Sequence, residues 1–126
     1  MRPSKDYGKE LVLDMHHCDI TLFNRTDLER YFRDACLILD MERCDLHWWD
    51  DLYTPEDEKE TEPHLKGTTA IQFIKTSNIT LHSLDILKRV YINIFSCKDF
   101  DAFKIGAFSS EFFHGQIVGS HVIRRV

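Results

Sequence analysis

Three residues with complementary chemistry, Ser77, His82 and Cys97, lie within a short stretch of this chain. A serine hydroxyl becomes a nucleophile when a base takes its proton, histidine titrates near neutral pH, and a thiol can exchange a proton. Each falls at a break or an end of a predicted strand, where folds commonly present reactive groups. Taken singly, each also has a structural explanation: a turn serine, a strand-end histidine and a buried thiol. Their joint spacing favours a shared site.

The segment that positions these residues predicts three neighbouring strands. Alternating apolar residues indicate a strand over 68–76, a break at Thr76-Ser77-Asn78, a short strand over 78–82, a connector and a strand over 89–97. In the last of these strands Val90, Ile92 and Ile94 share one face, as expected for a strand that packs on a core.

The flanking segments complete an α+β pattern. A capping box at Thr26 and Glu29 predicts a helix over 27–40, and Phe100, Phe103, Ala107, Phe108 and Phe112 mark one side of a second helix over 99–113. Further strands are predicted over 10–18, 44–49 and 117–124, and the acidic stretch 50–66 reads as a solvated loop. Strands and helices in this order predict a two-layer sandwich, an antiparallel sheet with two helices on one face.

Composition restricts the class of protein. The 126 residues fit one domain, and the net charge of −5 argues against a nucleic-acid partner. No apolar run approaches the ~20 residues of a membrane span, and the polar start lacks the pattern of a signal peptide. The four cysteines form no CxxC pair, which predicts a cytoplasmic protein with reduced thiols. The acidic loop lacks ordered ligand spacing, so no metal site is predicted.

The stretch 66–97, KGTTAIQFIKTSNITLHSLDILKRVYINIFSC, resembles the core of the prokaryotic S-adenosylmethionine decarboxylase proenzymes, and LVLDMHHCD (11–19) resembles the family's opening strand. These are pyruvoyl enzymes of polyamine (spermidine) biosynthesis. The resemblance implies an antiparallel sheet covered on one face, a homodimer, and a pyruvoyl cofactor made from the chain itself by cleavage.

The resemblance also implies a role for individual residues. Ser77 would become the pyruvoyl group after self-cleavage between Thr76 and Ser77, His82 would serve processing, and Cys97 would donate a proton to the decarboxylated product. Thr69 stands where the family has a processing serine, and its hydroxyl would support the same step. Residues 1–76 and 77–126 would be the two fragments.

Several positions of the family are changed. Thr76, at the predicted cleavage site, replaces a glutamate, the adenine-stacking aromatic falls at Pro63, and the glutamate that follows His82 is absent, with Asp85 the nearest acid. Asp14, which matches an acidic position of the family's opening strand, and Asp85 are the candidate substrate-binding residues. Three hypotheses stay open: an S-adenosylmethionine decarboxylase, a sister pyruvoyl decarboxylase of another amino acid, and an uncleaved homologue that acts as a binding or regulatory subunit.

Overall fold

Strict alternation of buried and half-exposed residues organises the chain into one antiparallel sheet. The computed structural model describes residues 5–126 and has six strands in the order β2-β3-β4-β5-β1-β6, with two helices on one face. The predicted α+β fold is thereby confirmed. In chain order the elements are β1 (Gly8–His16), α1 (Arg25–Leu39), β2 (Leu46–Trp49), β3 (Gly67–Ile74), β4 (Ser77–Leu84), β5 (Arg89–Ser96), α2 (Ala102–Phe113) and β6 (Gln116–Arg125), with short 3-10 turns at Ile20–Leu22 and Glu56–Glu58.

The core lies between the helices and one face of the sheet. Each central strand contributes alternate apolar side chains to it, and α1 adds a stripe at helical spacing that includes Leu28 and Phe32. No helix within residues 5–126 covers the opposite face of the sheet, which we call the open face. The core-facing strand residues with the largest buried side chains are Leu11, Leu13, Met15, Ile79, Leu81, Ile92 and Ile94.

Helix α1 begins two residues earlier than the capping box predicts. The N-cap is Asn24, whose side chain accepts a hydrogen bond from the Asp27 amide at 2.9 Å, while Thr26 already lies inside the helix. The prediction of Thr26 as the cap was wrong. Asparagine is the stronger cap, and its amide group also donates to the Asp27 carboxylate at 2.7 Å.

Helix α2 presents a different face to the core than its phenylalanines predict. Ile105, Ser109 and Phe113 are buried, whereas Phe103 is 87% exposed. The side of the helix that Phe103 and Ala107 mark is therefore exposed at these two positions. The reason is the buried pair of Tyr31 and Ser109, whose hydroxyls lie 2.7 Å apart, because this hydrogen bond lets a small polar residue occupy the centre of the packed face.

The break between β3 and β4 is one residue earlier than predicted. Ile74 pairs with Ser77, so the connecting turn contains only Lys75 and Thr76. Strand β4 starts at Ser77 itself and runs through His82 to Leu84. The predicted short strand over 78–82 was wrong in both bounds, and His82 lies within a strand instead of at its end.

Two kinds of feature do not occur within residues 5–126. No helix in that range is long and apolar enough to cross a bilayer. No group of three or more His, Cys, Asp or Glu side chains in the same range is arranged to hold a metal ion.

The Asn24 cap makes a direct prediction for stability. Replacing Asn24 with alanine leaves the first-turn amides without their acceptor and should lower the free energy of unfolding by about 1 kcal/mol. Thr26→Ala is the matched control, because it removes only an exposed helix side chain. It should change the free energy of unfolding by no more than a few tenths of a kcal/mol. Urea denaturation measures both. A larger loss for Thr26→Ala than for Asn24→Ala would contradict the assigned cap.

Candidate active site

Strand β4 carries both Ser77 and His82, and the geometry of a strand keeps them apart. Five residues at about 3.3 Å per residue separate their Cα atoms by roughly 16 Å. An odd spacing also places two side chains on opposite faces of a strand: Ser77 is in phase with buried Ile79 and Leu81, and His82 is in phase with half-exposed Thr80. Within one chain the two side chains therefore form separate sites.

Ser77 lies at the tip of the β3–β4 hairpin against Cys97. Its side chain is buried, and its hydroxyl accepts a hydrogen bond from the Cys97 amide at 3.2 Å. The same hydroxyl donates to the Cys97 sulfur at 3.7 Å, and the Thr76 hydroxyl lies 3.7 Å from that sulfur on the other side. The serine oxygen is thus held in one orientation at the start of the strand.

The turn before Ser77 is strained. Lys75 has φ of 53°, in the left-handed region, where a residue with a Cβ costs on the order of 1 kcal/mol. A cysteine sulfur stabilises it in part, since the Lys75 amide donates to Cys44 Sγ at 3.3 Å. The strain sits one residue before the Thr76-Ser77 peptide bond, the bond whose cleavage the sequence predicts.

Cys97 is exposed, and its surroundings favour the thiolate. Hydrogen bonds from Ser77, then from Thr76 and Tyr7, hold the pKa of the Cys97 thiol below its usual value. A thiol whose pKa is brought closer to neutrality can both give up and regain a proton at physiological pH. The cavity beside it, about 350 Å³, is lined by Tyr7, Lys9, Asp99 and Arg124 among others.

His82 lies on the open face next to Thr69, its direct partner on β3. The Thr69 hydroxyl is 2.9 Å from His82 Nδ1, which fixes the ring and directs Nε2 away from the strand pair. Burial lowers the pKa of His82, which favours the neutral imidazole, the form that accepts a proton. Sequence reasoning proposed Thr69 and His82 for one step, and the structure brings them together.

A single row of paired residues crosses the sheet through His82. Pairing runs from Trp49 on β2 to Thr69, His82 and Tyr91, then to Asp14 on β1 and Gly119 on β6. Directly paired residues point to the same face, so these side chains line the open face together. Gly119 makes room for Asp14, because a Cβ at that position would lie 2.9 Å from the Asp14 carboxylate.

Part of this row forms a groove of about 440 Å³ around His82. Trp49, which is 53% exposed, and Tyr91 supply aromatic surface, and Glu60 and His64 reach in from the loop before β3. The sequence signal for Trp49 is the Trp48-Trp49 pair, since alternation forces one of the two indoles out of the core. Nothing in the sequence alone singled out Glu60 or Tyr91.

Asp85 lies away from this groove. It follows β4 and lines a separate cavity of about 430 Å³ with Arg25, Asp50 and Lys66 among others. Burial raises the pKa of its carboxyl, and Oδ1 is buried without a hydrogen-bond partner within the described residues. Of the two acids predicted to bind substrate, Asp14 shares the row of His82 and Asp85 does not.

Comparisons with known proteins identify the family and the fold. The family model for S-adenosylmethionine decarboxylase matches residues 9–126. The chain belongs to the S-adenosylmethionine decarboxylase family. The crystal structure of the adenosylmethionine decarboxylase from Aquifex aeolicus VF5 has the same fold, with a TM-score of 0.74 and 15% sequence identity over 97% of this chain and 92% of that one. No curated protein gives a significant sequence match.

The contact between Ser77 and Cys97 has a testable electrostatic consequence. The test uses a parent variant that carries His82→Ala, which is expected to stay uncleaved, and Cys44→Ser, which removes the other exposed thiol. In this parent, Ser77→Ala should raise the pKa of Cys97, because the hydrogen bond from the Ser77 hydroxyl to the Cys97 sulfur is lost. Iodoacetamide alkylation followed against pH should then show its inflection at higher pH. Cys18 and Cys36 stay silent because burial raises each pKa to about 11. An unchanged inflection would contradict the assigned contact.

Proposed function

We propose that this member of the S-adenosylmethionine decarboxylase family is a self-processing, pyruvoyl-dependent decarboxylase of polyamine biosynthesis. The observation that carries the proposal is the hairpin tip, where the Ser77 hydroxyl is buried, oriented by Cys97 and preceded by a strained turn. A serine with a purely structural role would not require this combination of burial, orientation and a strained turn.

Processing begins with attack of the Ser77 hydroxyl oxygen on the Thr76 carbonyl carbon. The Thr76–Ser77 C–N bond breaks, a C–O ester bond forms, and the freed Ser77 amine takes up a proton. A base then removes the Ser77 α-proton, and elimination releases the carboxylate of Thr76. Water hydrolyses the remaining dehydroalanine, giving ammonia and a pyruvoyl group at position 77. Each step requires a donor near the Thr76 carbonyl oxygen and a base near residue 77.

His82 with Thr69 is the base and donor pair that fits these steps, but it lies about 16 Å from Ser77 in the same chain. We therefore infer that the working site contains two copies, in a homodimer whose open faces pack together with their strands running in opposite senses. The His82 ring of one copy then lies over the strand end that carries its partner's Thr76–Ser77 peptide bond. It would act on that backbone, because the Ser77 side chain itself points to the opposite face. The open face is available for this packing, because no helix within the described residues covers it.

Residues at the hairpin tip would surround the pyruvoyl group, and one of them would donate a proton to the product. A pyruvoyl group at position 77 supplies an electron sink for decarboxylation of an amine substrate. Cys97 remains within reach of that position, through both its amide and its sulfur. Its lowered thiol pKa supports a role in returning a proton to the product carbon.

The substrate is S-adenosylmethionine or another cationic amino acid. The groove at His82 combines aromatic faces of Trp49 and Tyr91 with the Glu60 carboxylate, a set that favours an organic cation. Asp14 adds a second acid in the same row. The sister-decarboxylase alternative is favoured by the position of Asp85, which lines a different cavity and so leaves the family's missing glutamate unreplaced.

We place the protein in the cytoplasm. All four cysteines are free in the structure, and Cys44 and Cys97 are exposed thiols. Such thiols persist in a reducing compartment. A reducing cytoplasm is compatible with the proposed role in polyamine synthesis.

Intact mass under denaturing conditions tests the proposed activity. Freshly purified protein should yield fragments 1–76 and 77–126, the second carrying a pyruvoyl group in place of its amino-terminal serine. Ser77→Ala should give one intact chain, because it removes the attacking oxygen, while Ser83→Ala, a buried serine of the same strand, should still cleave. A single uncleaved wild-type species after long incubation would contradict the proposal and favour the non-catalytic homologue.

A further inference from the structure

Strand β6 is an edge strand with unusual exposure. Among residues 5–126 its one strand partner is β1, and nine of its ten residues are exposed. The exposed side chains include Ile117, Val118, Val122 and Ile123. An open edge leaves a row of backbone donors and acceptors that another strand can satisfy.

Natural edge strands usually carry features that prevent such pairing, and β6 has few of them. Between Gln116 and Arg125 the sequence contains no proline, lysine or acid. The two arginines at its end are neutralised within the chain: Arg124 forms a two-point ion pair with Asp6, at 2.7 and 2.9 Å, and Arg125 bonds Glu10 at 2.8 Å. The strand therefore presents little net charge to a neighbour.

The face of β6 that points toward the helices is uncovered as well. Helix α2 and β6 border an apolar groove of about 520 Å³, lined by residues that include Phe103, Gly106, Ala107, Ile117 and Ser120. Packing of two open faces, as inferred above, leaves this groove untouched because it lies on the other side of the sheet. No element within the described residues covers this second surface.

The pairing of β6 with β1 defines which part of the edge is regular. The register shifts between Asp14 and Met15, which leaves Val118 as an extra residue on β6. From Gly119 to Arg125 pairing with β1 is continuous. A straight segment of this kind, centred on Val122, can meet an identical segment in antiparallel orientation along its whole length.

We propose that β6 is an interface between two copies of this chain, in which the segment 119–125 pairs with itself about a twofold axis at Val122. The pairing joins two six-stranded sheets into one of twelve strands. It sets Val122 against Val122, His121 against Ile123 and Ser120 against Arg124. In this register each residue whose backbone N–H and C=O point to the free edge is paired with a residue of the other copy whose groups also point to that edge. An antiparallel ladder requires this match. Each copy also brings its α2 groove beside the seam.

A second copy is the occupant that this edge fits best. The centre of the paired segment coincides with an apolar residue, so the twofold contact is Val against Val and no like charges meet there. The other edge strand of the sheet, β2, is a poorer partner for β6 of a second copy, because it has only four residues and cannot match the length of β6. Another protein's strand would need no symmetry about Val122, and the experiment below separates the two cases.

Disulfide trapping tests the register. In a Cys44→Ser/Cys97→Ser background, Val122→Cys should form a covalent dimer on mild oxidation, because paired Cβ atoms lie about 4.5–5.5 Å apart. Ser120→Cys is the matched control: it is exposed, on the same strand and face, but its copy would lie about four residues further along, roughly 13 Å away. Equal trapping of the two variants, or none in Val122→Cys, would overturn the proposed pairing.

Solution mass provides the second, independent measurement. Val122→Lys places two like charges on the axis and should halve the assembly mass in analytical ultracentrifugation, whether the wild type has four chains or two. Val118→Lys, an equally exposed valine at the bulge, should leave the mass unchanged. Neither experiment depends on cleavage at Ser77. An unchanged mass for Val122→Lys, with native circular dichroism, would overturn the proposal.

Discussion

The alternation of side chains along β4 is the constraint from which the functional account follows. Ser77 and His82 are five residues apart on one strand, and that odd number puts them on opposite faces and roughly 16 Å apart. No side-chain rotation can close such a gap. Either the two residues are unrelated, or chemistry that uses both must draw them from different chains. The uncovered open face offers the surface for the second arrangement.

Each half of the site is positioned by local interactions that do not depend on the other half. At the hairpin tip, the Cys97 amide orients the Ser77 hydroxyl. At the opposite end, Thr69 orients His82, and Gly67 lets β3 approach β4 closely, since a Cβ there would lie 1.9 Å from the Ser83 carbonyl oxygen. Preorganised halves of this kind would form a site on association, with little rearrangement of either chain.

The sequence predicts the fold class well because periodicity reports directly on burial. Val90, Ile92 and Ile94 fall on the buried face as their spacing indicates. It fails where tertiary contacts outweigh local pattern: Phe103 looks like a core residue, but the buried hydrogen bond between Tyr31 and Ser109 turns α2 to another face. Local caps are similarly ambiguous, since Asn24 and Thr26 both precede acids at suitable spacing.

The candidate site was predictable residue by residue but not as an arrangement. Ser77, His82 and Cys97 were singled out by type and spacing, and the resemblance to the family added Thr69. An error of one residue in the turn concealed the separation of Ser77 and His82 onto two faces. Trp49, Tyr91 and Asp14 join His82 through strand pairing across distant parts of the chain, which no local pattern encodes.

The most direct measurement of the central claim is cleavage in a mixture of two inactive variants. Ser77→Ala and His82→Ala are each expected to remain intact alone. Refolded together, about half of the dimers are mixed, and each mixed dimer joins the Ser77 of one chain to the His82 of the other. The account predicts that His82→Ala chains then break between Thr76 and Ser77, while Ser77→Ala chains stay whole. Cleavage of His82→Ala alone at the wild-type rate, or no cleavage in mixtures shown to contain the mixed dimer, would contradict it.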